Sequence, residues 1–322
     1  MTAVDRRFEL SPFQRDLVLS VCSAGTRILD SFRSKSRAEL CPVHVRLAVP
    51  SGSEYALYLR LDRAPRGVER EARVLPILRR LGLPVPEVLA GPVRDPNATD
   101  IGAMAVYTEL PGTNLLERVW SAPLGTQRTV NDALADQLLE GIDRIHSCST
   151  IMAREDVSRL LPRDGLVREL RWALDETAAS SPDDPWAGEP WLEPVVAVLQ
   201  PLLEREERVT PPACFWNGDF NPANFLSDGT QLTGFVDFSW ASWHDPHYGL
   251  ARFTIYDWVL FDRPRLFRRY RERHDLSESG FSLRSAVHAV TTLLSKPHGS
   301  LTPAQHSSIC AQLEHDMALV AG

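Results

Sequence analysis

Between Val43 and Leu61 apolar residues fall on every second position, first at Val43, Val45, Leu47 and Val49 and then at Tyr55, Leu57, Leu59 and Leu61. Side chains two apart share one face of a strand, so each run predicts a half-buried β-strand. Pro50-Ser51-Gly52-Ser53-Glu54 supplies turn residues between them and predicts a hairpin. The rest of the first 110 residues agrees with a small sheet carrying helices. Ser11-Pro12-Phe13-Gln14 predicts a helix start, with Ser as N-cap, Pro at the first helical position and Gln closing a capping box. Glu69 to Leu81 predicts a helix with Val74, Leu75, Leu78 and Leu81 inward, stopped by Gly82 and Pro84. A further strand pair is expected around Val85 to Leu89 and Met104 to Leu110.

At Pro111-Gly112-Thr113-Asn114 the period changes to that of helices. Val130, Leu134, Leu138, Ile142 and Ile145 mark a long amphipathic helix, with further helices near Gly165 to Ala179 and Leu192 to Glu206 and a loop over Ser180 to Pro190. After Pro212 come a short strand, a polar turn and a strand from Leu232 to Phe238, and helices resume near Leu250. The expected fold is α+β with two lobes: residues 1–110, an antiparallel sheet plus helix, and residues 111–322, mostly helical. A chain of 322 residues exceeds the length at which single cores usually divide.

The formal charge of -7 disfavours a sequence-independent grip on nucleic acid, which needs a positive field. The five cysteines, Cys22, Cys41, Cys148, Cys214 and Cys310, are scattered and form no CxxC pair, so neither a disulfide framework nor a zinc site is suggested. No apolar stretch reaches the length of a membrane span, and residues 1–10 carry charges where a secretion signal would be apolar. A cytoplasmic protein, a monomer or homodimer with no membrane partner, is expected.

The chemistry concentrates in Asn217-Gly218-Asp219-Phe220-Asn221-Pro222-Ala223-Asn224 and in Asp237, within the apolar run Phe235 to Phe238. Phosphoryl transfer asks little covalent work of a protein: a carboxylate to orient and deprotonate the attacking hydroxyl, and oxygen ligands for magnesium on the phosphates. Asp219 fits the base, while Asn224 and Asp237 fit the metal ligands. Magnesium suits so sparse a set, because it takes few protein oxygens and keeps waters and phosphates.

Gly218-Asp219 with Asn224 five residues on, the Asp237 strand, and Asp245-Pro246-His247-Tyr248-Gly249-Leu250-Ala251 resemble the aminoglycoside phosphotransferase and choline kinase-like family. Ile145-His146, Arg70 to Leu75 and Gly82-Leu83-Pro84-Val85-Pro86 match further pieces in the right order. The resemblance implies a protein-kinase-like fold, ATP or GTP as donor, Mg2+ as cofactor and a small-molecule hydroxyl as acceptor. It places Arg60 on the nucleotide phosphates, paired with Glu71. The only lysines are Lys35 and Lys296, so the strand contact must come from Arg, whose planar fork suits phosphate. Glu109 to Gly112 resembles the hinge whose backbone holds the adenine.

Two positions depart from that pattern: Asn217 stands where the family usually has His, and Gly249 where it usually has a second Asp. They motivate a rival reading, a catalytically degenerate pseudokinase that binds nucleotide or ligand. A protein kinase is disfavoured by the single Gly of the Pro50 to Glu54 loop, and a serine hydrolase by the lack of a GxSxG elbow. The acceptor is not legible: aminoglycosides, choline, homoserine, sugars and macrolides all remain. Carboxylates for a cationic acceptor are available at Asp257, Asp262, Glu314 and Asp316. Trp216, Trp240 and Trp243 are read as core aromatics that could line a pocket, and His244 and His247 as a metal pair only if partners cluster. The run Arg263, Arg265, Arg268, Arg269, Arg271 and Arg273 is expected on the wet face of a helix.

Overall fold

A computed structural model describes residues 6–33, 42–63, 65–97, 101–121, 127–179, 190–209, 213–255, 263–295 and 301–321. The first part holds β1 (Arg6–Arg7), α1 (Pro12–Ser20), β2 (Arg27–Arg33), β3 (Val43–Ala48), β4 (Glu54–Asp62), α2 (Pro65–Arg80), β5 (Val88–Val93) and β6 (Ala103–Thr108). Its strands form one antiparallel sheet in the order β1-β2-β3-β4-β6-β5. The hairpin register sets Val43 opposite Leu59, Val45 opposite Leu57 and Leu47 opposite Tyr55, as the alternation requires.

The pleat of β4 then sorts its residues. Leu57, Leu59 and Leu61 enter a core with Val43, Val45 and Leu47 beneath α1, each burial contributing about 1.5–3 kcal/mol. Tyr58 and Arg60 point to the opposite face, beneath α2. Helix α2 presents Val68, Leu75 and Leu78 to that face, and Glu71 lies on the same stripe at helical spacing. A carboxylate is thereby carried into an apolar interface, where it is tolerable only with a partner. The capping box forms as predicted, Ser11 Oγ accepting from Gln14 N and Gln14 Oε1 from Ser11 N.

The second part contains β7 (Thr113–Asn114), α3 (Leu115–Ser121), α4 (Gln127–Ser147), α5 (Ser149–Met152), α6 (Leu166–Ala179) and α7 (Leu192–Val209). Next come β8 (Cys214–Trp216), β9 (Phe225–Ser227), β10 (Leu232–Phe235), β11 (Ser242–His244), α8 (Tyr248–Ala251), α9 (Arg263–His274), α10 (Glu278–Ser295) and α11 (Pro303–Ala321). Strand β9 pairs with β7 on one side and β10 on the other, and β8 with β11, while α10 packs against α6, α8 and α11. No helix among the described residues is long and apolar enough to cross a membrane.

Several expectations change. Strand β2 is not legible in the sequence, because its apolar residues Ile28, Leu29 and Phe32 do not fall on every second position, and Leu29 is exposed. Strand β10 stops at Phe235 rather than Phe238, since Asp237 adopts a left-handed backbone with φ 60°, a conformation Asp tolerates better than most residues. The arginines of α9 are not simply wet: Arg265, Arg269 and Arg273, one turn apart, pair with Asp132, Asp136 and Asp143 of α4. Most of the expected loop, residues 180–189, lies outside the described residues.

Candidate active site

Strands β8 and β11 form a two-stranded base, and the eight residues from Asn217 to Asn224 leave it as a loop tied almost wholly by its own polar groups. Asn217 is buried; its Nδ2 donates to Asp219 O at 2.8 Å and its Oδ1 accepts from Asp219 N at 3.1 Å. Asp219 Oδ1 accepts from Asn221 N, and Asn221 Oδ1 from Ala223 N, which starts the single 3-10 turn Pro222–Asn224. Asn224 Nδ2 closes back on Asp219 O at 2.9 Å. Arg252 Nη1 donates to Gly218 O at 2.9 Å. The amide of Asn217 thus holds the loop where the resemblance leads one to expect a histidine.

Gly249 has a different explanation. A Cβ there would lie 2.4 Å from the Phe220 ring, which also meets His146 edge-on at 5.3 Å and Trp216 at 5.6 Å. An aromatic contact fills the place expected to hold a carboxylate. Gly218, at φ 94°, is required twice over, since a Cβ would come within 2.3 Å of Trp240 O.

Across the cleft, Arg60 Nη1 lies 3.0 Å from Asp237 Oδ1 and 3.4 Å from Glu71 Oε2. Glu71 Oε1 accepts from Phe238 N at 2.9 Å, so the sheet, α2 and the segment after β10 meet at one guanidinium. Ser239 Oγ donates to Asp237 Oδ1 at 2.7 Å. Burial works against charge on Asp237, but Arg60 and Ser239 outweigh it and hold its carboxyl below the ordinary range. Asp219 moves oppositely: burial raises it and Asp237 adds to the rise, while Arg252 opposes both. Burial also raises Glu71 despite Arg60. Two nearby carboxylates with opposed shifts suit one to accept a proton and the other to stay ionised.

The structure therefore gathers Arg60, Glu71, Asp219, Asn224 and Asp237. The Glu109 side chain lies apart, its Oε1 3.0 Å from His44 Nε2, so any part it has in holding a base falls to its backbone. His244 and His247 do not converge: His244 Nε2 faces Glu169, and His247 Nδ1 faces the Tyr270 hydroxyl. No group of three metal-ligating side chains other than amides occurs among the described residues. Trp216 and Trp243 are core aromatics as expected, whereas Trp240 is 73% exposed.

Beside Asp219 opens a cavity of about 680 Å³, walled by Asp164, Glu169 and Trp172 from the α6 side, Trp240 and Arg252 from the loop side, and Thr291 of α10. Apart from Trp240, none of these wall residues stands out in the sequence, because they come from separate elements and carry no local motif. Of the expected pocket carboxylates, Asp316 is buried between α10 and α11, accepting from the Ser285 hydroxyl and from Gln312, and Glu314 is exposed on α11. Asp257 and Asp262 lie outside the described residues.

A twisted antiparallel sheet whose strand arginine meets a helix glutamate, set over a helical part with the Asp219 loop, is the protein-kinase-like fold. The profile of the phosphotransferase enzyme family matches residues 45–282, and the chain belongs to that family. A thermostable form of aminoglycoside phosphotransferase APH(4)-Ia, in ternary complex with AMP-PNP and hygromycin B, aligns over 95% of this chain and 97% of its own at 16% identity and a TM-score of 0.60. The GDP and kanamycin complex of APH(2")-IIia aligns over 96% and 99% at 16% identity, TM-score 0.61. The GDP complex of wild-type aminoglycoside 2'-phosphotransferase-IIIa gives 18% identity over 94% and 96%, TM-score 0.61. At such identities the likeness speaks for the fold. A sequence comparison with curated proteins found no match.

Proposed function

We propose that this chain transfers the γ-phosphoryl group of ATP or GTP to a hydroxyl of a small molecule, with residues 1–110 as the nucleotide-covering lobe and 111–322 as the lobe of the catalytic loop and acceptor. In support of that boundary, the six-stranded sheet ends at β6 and β7 pairs elsewhere. Asp219 is the base: its raised affinity for a proton suits it to take one from the acceptor hydroxyl near neutral pH. Arg60, oriented by Glu71, holds the phosphates, and the backbone from Glu109 to Gly112 holds the base.

The donor set fits magnesium. Asn224 uses its Nδ2 on Asp219 O, leaving its amide oxygen as a ligand, and Asp237 Oδ2 is the charged one, its Oδ1 being engaged by Arg60 and Ser239. When bound, the ion neutralises charge on the transferring phosphate. The relatives bind AMP-PNP with hygromycin B or GDP with kanamycin, which agrees with a nucleotide and a hydroxylated acceptor here.

The reading rests on one observation: Arg60 and Asp237, 177 residues apart, meet at 3.0 Å across the cleft from a loop that presents Asp219 and Asn224. Asp219→Asn is expected to lower acceptor-dependent ATP consumption by about 10²- to 10⁴-fold. Undiminished turnover in that variant would sink the base assignment.

A further inference from the structure

Polycationic acceptors are held by carboxylates, roughly one for each ammonium group, because a desolvated cation needs a charge-assisted partner. The cavity beside Asp219 is differently built. Its described carboxylates are Asp164, Glu169 and Asp219, and they are opposed by the guanidiniums of Arg168 and Arg252. Asp164 Oδ1 lies 3.5 Å from Arg168 Nη1, and Glu169 Oε1 lies 3.3 Å from Nε2 of the buried His244. Asp219 faces the reacting hydroxyl. The described wall is left with one net negative charge, too little for several ammonium groups.

What the wall does offer is aromatic surface. Trp172 is 49% exposed and Trp240 73%, both on this cavity, whereas Trp216 and Tyr248 at its floor are buried. An indole left in water forgoes a large apolar burial, and two of them at one mouth form a surface waiting for a flat partner. Thr291 and Thr292 add neutral hydroxyls, and the volume of about 680 Å³ suits a drug-sized molecule.

We propose that the acceptor is a neutral or monocationic alcohol with a flat apolar face, seated against Trp172 and Trp240; this rests on the phosphotransfer reading above. The test is equilibrium binding to the full chain, with and without magnesium and AMP-PNP, of three probes. These are 2-amino-1-phenylethanol (ring and one amine), ethanolamine (one amine, no ring) and kanamycin (several amines, no apolar face).

The ring-bearing probe is expected to bind about tenfold tighter than ethanolamine, from two ring contacts together, and tighter than kanamycin. Trp172→Ala and Trp240→Ala should each shrink that ratio severalfold, and Trp172→Phe should restore most of it. Equal binding of the two amino alcohols, tighter binding of kanamycin, a ratio untouched by both alanine variants, or no binding of the aromatic probe at millimolar concentration would each overturn the proposal. Failure of the phosphotransfer reading shows separately, as a chain whose Tm magnesium and ATP do not move and which consumes no ATP with any acceptor.

Discussion

Arg284 and Arg60 each bridge two carboxylates, and the two groups are built differently. Arg284 is fully buried; its Nε and Nη2 grip Asp245 at 2.8 Å each, Nη2 also reaches Glu206 at 2.9 Å, and Nη1 donates to Gly280 O. Arg60 meets Glu71 at 3.4 Å and Asp237 at 3.0 Å through one nitrogen, and the Asp237 side chain is 38% exposed. The Arg284 group is geometrically complete and fastens α7, the segment before α8, and α10 to one another. The Arg60 group is looser and opens on the cleft, where the proposed reading has a phosphate and a metal join it. On that reading the ion triads of one chain divide into a fastening and a receptor, the one closed and the other open to the cleft.

The largest expected effect tests the fastening. Arg284→Met strands Asp245 and Glu206 and should cost about 3–5 kcal/mol of unfolding free energy in urea titration. A loss below about 1 kcal/mol would erase the distinction, being the size expected of exposed pairs. Arg60→Met also leaves the buried Glu71 without its charge partner, so it should cost some stability though less than Arg284→Met, and on the proposed reading it should abolish the rise in Tm caused by magnesium and ATP. A retained shift would place the phosphate contact elsewhere.

Acid titration should separate the groups by sign. Burial opposes the charge of Asp245, but Arg284 outweighs it and holds the carboxyl below its ordinary value. Its contribution is therefore complete above the unfolded value of about 4 and is lost as pH falls through the lower folded value. Glu71 is raised by burial, so its charged form weighs against folding at neutral pH, a penalty relieved as pH drops through the raised value. Stability measured against pH should lose its acid decline below pH 4 in part when Asp245 is replaced by Asn, and gain at neutral pH in Glu71→Gln. The opposite pair of slopes would contradict both assignments.

A smaller effect concerns the loop between the groups. Burial raises Asp219 and Arg252 restrains the rise, so Arg252→Gln should move the acid limb of kcat against pH upward. An unmoved limb would deny Arg252 its influence. Smallest of all, Trp240→Ala should change stability by less than about 0.5 kcal/mol, because its side chain is mostly in water.

What could be read in the sequence was local. The β3–β4 alternation, the Ser11 capping box and the Asp219–Asn224 spacing each state their own geometry within a few residues. Glu71 is not legible as an inward residue from sequence, since Arg70 and Arg73 flank it as they would a surface charge, and only the packing of α2 on the sheet turns it inward. Likewise the arginines of α9 cannot announce Asp132, Asp136 and Asp143, whose positions depend on how α9 lies along α4. The cavity wall was illegible for the same reason: Asp164, Trp172, Arg252 and Thr291 are gathered by topology.

The notch at Gly249 bears on the order in which such a chain can change. With Phe220 seated 2.4 Å from where a side chain would begin, a carboxylate at this position does not fit unless the ring shifts. Gly249→Asp should destabilise the fold, and Phe220→Leu beside it should recover part of the loss in urea titration; an additive pair would refute the coupling. Phe220 and Gly249 thus form one steric unit, in which the size of the ring sets what the neighbouring position can hold.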